Sequence, residues 1–182
     1  MEDTKSVYKY AAEAGVPMGL YLTAMSACLL LSLRLPQLPV LMFPLLLGLP
    51  FFTAWLLRRI ASDAPHYNKV SALWLAGIYT FIFGSLICCL LSSLYLTFME
   101  PGFVARYMQM AVDTINSSPS ADRYAASADV MQKAIDGHLL PTGQQFLLTL
   151  AWGTCFMGSF LSLALAWLLT RRRKNAVTGA RG

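Results

Sequence analysis

Four stretches of this chain run without a charged side chain for about as long as a helix needs to cross a bilayer. Gly15 to Leu33 is 19 residues, Leu35 to Leu57 is 23, Val70 to Met99 is 30 and Leu139 to Thr170 is 32. About 20 apolar residues span a hydrocarbon core of about 30 Å. None of the four alternates apolar and polar residues over about ten positions, as a lipid-facing β-barrel strand would. In lipid, an open segment must pair its backbone polar groups internally, which leaves the helix. Composition points the same way. The chain is 57% apolar and 13% charged, against about 45–50% and about 25% in soluble domains, too little polar surface to cover a globule in water. The expected fold is all-α: one membrane domain over residues 1–182, built as an integral bundle of four transmembrane helices. An extramembrane amphipathic helical hairpin is expected between the third and fourth.

The third and fourth runs exceed a simple crossing. Thirty residues rise about 45 Å, more than tilts of up to about 40° can hide. In the third run the excess falls on Leu94 to Met99, leading into Glu100-Pro101-Gly102, where proline cannot continue the helix and glycine permits the turn. In the fourth, Thr142-Gly143-Gln144-Gln145 reads as a capping box, with Thr142 the N-cap and Gln145 its reciprocal partner. The spans are therefore expected at about 15–34, 38–57, 70–95 and 144–170. The first is read as an uncleaved anchor. Glu2, Asp3 and Glu13 make its leading region mixed rather than basic, and Arg34-Leu35-Pro36 is no small-residue cleavage site.

Basic residues set the orientation. Four spans put the N-terminus, the Arg58 to Lys69 loop and the C-terminal tail on one side. That side holds ten Lys and Arg and the other four, although the other owns the longest loop. Acidic residues number four and five, so the sides sum to +6 and −1. Both termini are expected in the cytoplasm. Arg171, Arg172, Arg173 and Lys174 directly follow a span, where such a cluster stops transfer and anchors to anionic lipid. Nucleic acid is not the expected partner.

Residues 100 to 143 form the one sizeable polar segment. Phe103, Tyr107, Ala111 and Ile115 recur every four residues, with Arg106, Gln109, Asp113 and Asn116 on the opposite stripe, which predicts an amphipathic helix over 103–116. Ser118 is an N-cap candidate with Pro119 at the first helical position. A second helix then runs to Asp136 and stops at Gly137, with Tyr124, Ala128, Met131 and Ile135 as its apolar stripe. Asp129 and Lys133 pair on its wet face. Such helices need cover: each other, the bilayer surface or the protruding ends of spans three and four. Two readings stand, a periplasmic docking surface and a plain connector that caps the bundle.

Chemistry-bearing residues are sparse. Cys28, Cys88, Cys89 and Cys155 all lie within the spans. Cys88 and Cys89 point about 100° apart on a helix, too divergent to bond each other readily. They are read as small apolar residues. No CxxC occurs, and His66 and His138 fall on opposite sides, so no metal or cofactor is expected. Glu13 and Arg34 sit at the edges of span one, where snorkelling suffices. No GxSxG, HExxH, P-loop, kinase or dinucleotide motif occurs, and no enzyme activity is expected.

Span two carries Pro36, Pro39, Pro44 and Pro50. The first two can begin the helix, whereas Pro44 and Pro50 each remove a backbone hydrogen bond in mid-membrane and are expected to kink it. Small-residue stripes mark the expected contact faces: Gly15, Gly19 and Thr23 on span one, Gly84, Cys88 and Ser92 on span three, and Gly158, Ser162 and Ala166 on span four. Small residues let helices approach closely where hydrophobicity supplies no driving force.

Tyr10-Ala11, Gly15 and Gly19-Leu20-Tyr21 open the chain. A proline-bearing second span ends in Arg58-Arg59, and Gly102-Phe103 leads to Tyr107-Met108. An amphipathic stretch and a last span closing on Arg171 to Lys174 follow. In this order and spacing, over roughly Tyr8 to Lys174, the chain resembles the uncharacterised bacterial membrane family known as domain of unknown function 4199. The resemblance implies a small multipass inner-membrane protein with no assigned activity and supplies no catalytic residue. The expected function is a non-enzymatic accessory or scaffolding component whose periplasmic hairpin contacts a partner or lipid. Membrane lipids, or another membrane or periplasmic protein, are the partners expected. The alternative is a small transporter or channel subunit with the kinked second span lining a path.

Overall fold

The computed structural model describes residues 7–35, 37–63, 69–117, 121–137 and 139–179, and no strand occurs among them. His66, His138, Pro36 and the expected Ser118-Pro119 cap lie outside the described residues. So do the side chains of Pro39, Arg172, Arg173 and Lys174.

Four helices are long and apolar enough to cross a bilayer: α1 (Val7–Leu30), α2 (Leu38–Asp63), α3 (Val70–Phe98) and α6 (Gly143–Gly179). This is the make-up of a membrane protein. Two shorter helices, α4 (Phe103–Asn116) and α5 (Ala121–Asp136), lie between α3 and α6. A single 3-10 turn, Leu31–Leu33, finishes α1. Helix α6 starts on a reciprocal cap: the Thr142 N–H donates to Gln145 Oε1 at 3.0 Å, and the Gln145 N–H donates to Thr142 Oγ1 at 3.3 Å. Two of the donors that a helix start leaves unpaired are thereby satisfied.

Helix α3 is the central element. In its most apolar window 39% of residues are buried, against 17% in α2 and in α6. It packs along much of its length with α1 on one stripe and with α6 on a neighbouring one. Helix α2 closes the space between α1 and α6 at one end only. There Leu57 and Ala61 meet Leu73 of α3 and Ala166 and Leu169 of α6. The end of α2 also receives the start of α1, whose Tyr10 hydroxyl donates to the Asp63 carbonyl at 3.3 Å. The helix ends that carry Arg58, Arg59, Lys69 and Arg171 are thus gathered at one end of the bundle, the tail end.

At the other end, Leu30 of α1, Leu96 of α3, Phe103 and Val104 of α4 and Leu147 of α6 form a separate core. Helix α2 is largely unpartnered towards this end: Val40, Phe43, Leu47 and Phe51 are all well exposed, whereas its buried residues begin at Thr53. A recess of about 130 Å³ opens there among α1, α2, α3 and α6. Helix α5 packs chiefly on α4.

Candidate functional site

The small-residue stripes meet one another. An added β-carbon at Gly15 would stand 2.5 Å from Phe83 Cβ, one at Gly19 2.8 Å from Ile87 Cβ, and one at Gly84 3.2 Å from the Gly19 nitrogen. Contacts this close leave little or no room for a side chain, so α1 and α3 approach through their glycines. The α1 face continues through Ser26 rather than Thr23. Ser26 Oγ and Ser92 Oγ are 2.9 Å apart across the seam, with Cys88 Sγ 3.5 Å from Ser26, whereas Thr23 Oγ1 donates back to its own helix at Gly19 O. On α6, Gly158 lies against the Phe81 ring and Ser162 against Gly77. Ser85 Oγ and Cys155 Sγ lie 3.1 Å apart across the same seam. All four cysteines are free thiols.

Pro44 and Pro50 both lie inside α2, which remains helical through them. Between them the Tyr21 hydroxyl of α1 donates to the Leu45 carbonyl, and its ring stacks on Phe52 at 4.8 Å. A β-carbon on Gly48 would stand 2.7 Å from that hydroxyl, so glycine makes room for it.

At the tail end two tryptophans carry arginines one turn further on. The Arg59 guanidinium lies 5.9 Å from the Trp55 ring centre, and that of Arg171 lies 5.0 Å from Trp167. Aromatic rings and basic side chains are the usual residents of a membrane–water interface, and the pairs mark one level on α2 and α6.

The opposite end holds a charge cluster that sequence reasoning missed. Glu100, in the turn between α3 and α4, is 5% exposed. Arg34, just past the turn that ends α1, donates to its Oε1 from Nε at 3.0 Å and from a terminal nitrogen at 2.7 Å. Arg106 of α4 brings a nitrogen to 2.9 Å of Oε2, as a charge contact rather than an aligned hydrogen bond. Arg34 therefore does not simply snorkel to water from the edge of span one. The Glu100 hydrogen bonds, and then its charge, raise the Arg34 pKa above its ordinary value. The two arginine side chains remain 53% and 59% exposed. One carboxylate between two arginines leaves the cluster at +1.

A cavity of about 580 Å³, partly open to the outside, lies between the helix segments that carry Arg34 and Arg106. One wall is a stripe of α4: Tyr107, Met110, Ala111, Thr114 and Ile115. That spacing puts them on one helix face. The facing wall combines Leu29 and Ser32 with Met42, Phe43 and Leu46 of α2. Its two small hydroxyls are spent on their own backbone, Ser32 Oγ on Leu29 O at 2.6 Å and Thr114 Oγ1 on Met110 O at 2.7 Å. The surface presented is mostly apolar, with the Tyr107 phenol as the other polar side chain in the lining. Leu29 and Met42 also line the smaller recess deeper in the bundle, so the two spaces adjoin. Among the described residues no three His, Cys, Asp or Glu come together as a metal site.

Residues 13–171 match the profile of a family described as "Protein of unknown function (DUF4199)". The chain belongs to that family. The matched range takes in all four membrane-length helices in whole or most part, together with the Arg34–Glu100–Arg106 cluster and both walls of the cavity. For this DUF4199 protein, no curated protein and no solved structure gives a significant match.

Proposed function

We propose that this DUF4199 protein is a non-enzymatic accessory or scaffolding component of a bacterial inner membrane. Both termini lie in the cytoplasm, and α4 and α5 form an extramembrane hairpin on the periplasmic side that engages a partner. The reading is carried by one observation: α5 packs chiefly on α4, leaving an amphipathic pair with apolar side chains such as Val130 and Tyr124 well exposed. Four to ten Lys and Arg between the two sides support the orientation. The Trp–Arg pairs at the tail end are what a cytoplasmic interface would hold.

A transport path along Pro44 to Pro50 is the second reading, since Met42, Phe43 and Leu46 flank Pro44 in the cavity wall. Those residues are apolar, which supports a lipid-facing recess over an aqueous conduit.

Crosslinking from Asp129→Cys in intact membranes tests the proposal, with a topology reporter fused after Lys174. A discrete crosslinked partner and a reporter active only in the cytoplasm are expected. A reporter active outside would overturn the orientation, and crosslinks confined to the chain itself would overturn the docking role.

A further inference from the structure

We propose that the cavity between α4 and the α1–α2 wall binds one anionic phospholipid, with an acyl chain in the cavity and its phosphate between Arg34 and Arg106. The lining decides the first half. With the hydroxyls of Ser32 and Thr114 turned to their own backbones, water entering the cavity would find few partners. An apolar occupant loses nothing there. The volume of about 580 Å³ lies within the about 300–1,000 Å³ of ordinary ligand sites. The adjoining recess shares Leu29 and Met42 with the cavity and is lined further in by Leu147 and Leu150.

Depth agrees with a lipid. Met42 and Leu46 are four and eight residues into α2 from its start at Leu38, about 6–12 Å along the axis. An interfacial helix sinks its apolar face about 5–10 Å into the headgroup–acyl boundary. Helix α4 facing Met42 and Leu46 is therefore at the level where acyl chains begin.

The charge cluster decides the second half. Ser32 in the cavity wall is two residues from Arg34, and Tyr107 is the residue after Arg106. The buried Glu100 neutralises one guanidinium and fixes both, while both arginine side chains stay more than half exposed. A guanidinium carries five N–H donors in a planar fork suited to phosphate. The net +1 favours an anionic headgroup over a zwitterionic one. The proposal rests on α4 lying at the membrane surface and not on any partner at α5.

The test uses the full chain in mild detergent, offered phosphatidylglycerol or phosphatidylcholine, with bound lipid counted by native mass spectrometry. One phosphatidylglycerol per chain is expected, retained in preference to phosphatidylcholine. Arg106→Gln should weaken phosphatidylglycerol retention about tenfold, the scale of one lost charge-assisted hydrogen bond, with Arg106→Lys recovering part of it. Ala111→Trp and, from the other wall, Leu46→Trp should each abolish retention of both lipids while circular dichroism keeps the helix content. Equal retention of the two lipids by the wild type would overturn the phosphate seat. Undiminished retention by both tryptophan variants would overturn the cavity. Failure of the underlying placement reads out separately: Asn116→Cys labelled by a membrane-impermeant maleimide only from the cytoplasmic side would put α4 on the wrong surface.

Discussion

Ser162 of α6 is fully buried against Gly77 of α3, so closely that a β-carbon on Gly77 would stand 2.5 Å from both its Cβ and its Oγ. The seam between the two helices is thus set by the absence of bulk on either side. Gly77→Ala should cost about 1–3 kcal/mol through overpacking. Gly153, on the same α6, has nothing within 4 Å of a would-be β-carbon, and Gly153→Ala should cost nothing. Thermal unfolding of the two variants in one detergent checks the contrast.

The hydroxyl of Ser162 has no hydrogen-bond partner among the described residues, whereas that of Ser92 meets Ser26 across the α1–α3 seam at 2.9 Å. Removing an unsatisfied buried group is neutral or favourable. Ser162→Ala should therefore hold or raise the melting temperature. Ser92→Ala should lower it, with a loss of stability of about 0.6 and at most about 1.7 kcal/mol, and a double-mutant cycle with Ser26→Ala should recover that coupling.

Glu100 holds two arginines, so its removal leaves two like charges facing each other, while removal of either arginine leaves a simple pair. Glu100→Ala should destabilise the α4 end more than Arg34→Ala or Arg106→Ala. Replacing all three should restore part of the loss. Protease sensitivity of the segment after Met99 and the melting temperature are the readouts. An order in which an arginine variant is worst would contradict the arrangement.

The Thr142–Gln145 cap satisfies two donors at the head of α6. Thr142→Ala should cost about 1 kcal/mol. Hydrogen exchange should speed up at the first turn of α6 and leave the amides around Gly158 unchanged.

Part of this architecture is legible residue by residue. The helix termini at Leu38, Val70, Phe103 and Gly143 follow from local chemistry: a proline–glycine turn at 101–102, a reciprocal cap at 142–145, and uncharged runs between them. Gly15, Gly19 and Gly84 could be picked out because small residues four apart mark a close approach. Gly77 belongs to no such four-residue stripe, because it works opposite Ser162 rather than within a pattern of its own. Thr23 extends the α1 pattern on paper, but its hydroxyl turns back onto Gly19, and Ser26 takes the position at the seam. Arg34 offered no sign of its partner. A lone arginine at the edge of a span looks like any snorkelling cation until Glu100, 66 residues away, is brought beside it.

From the residues alone came the four membrane-length helices, the Thr142–Gln145 cap of the last one and the division of charge between two sides. Lipid forces each spanning segment to satisfy its own backbone, so local sequence suffices to specify it. Which helix stands at the centre, where α2 parts from α6, that α4 roofs a cavity over α1 and α2, and that Glu100 is clasped by two arginines were decided only in three dimensions. Those features depend on which side chains distant in the chain fit against one another, and in a bundle held by close packing the fit belongs to the pair of surfaces, not to either helix.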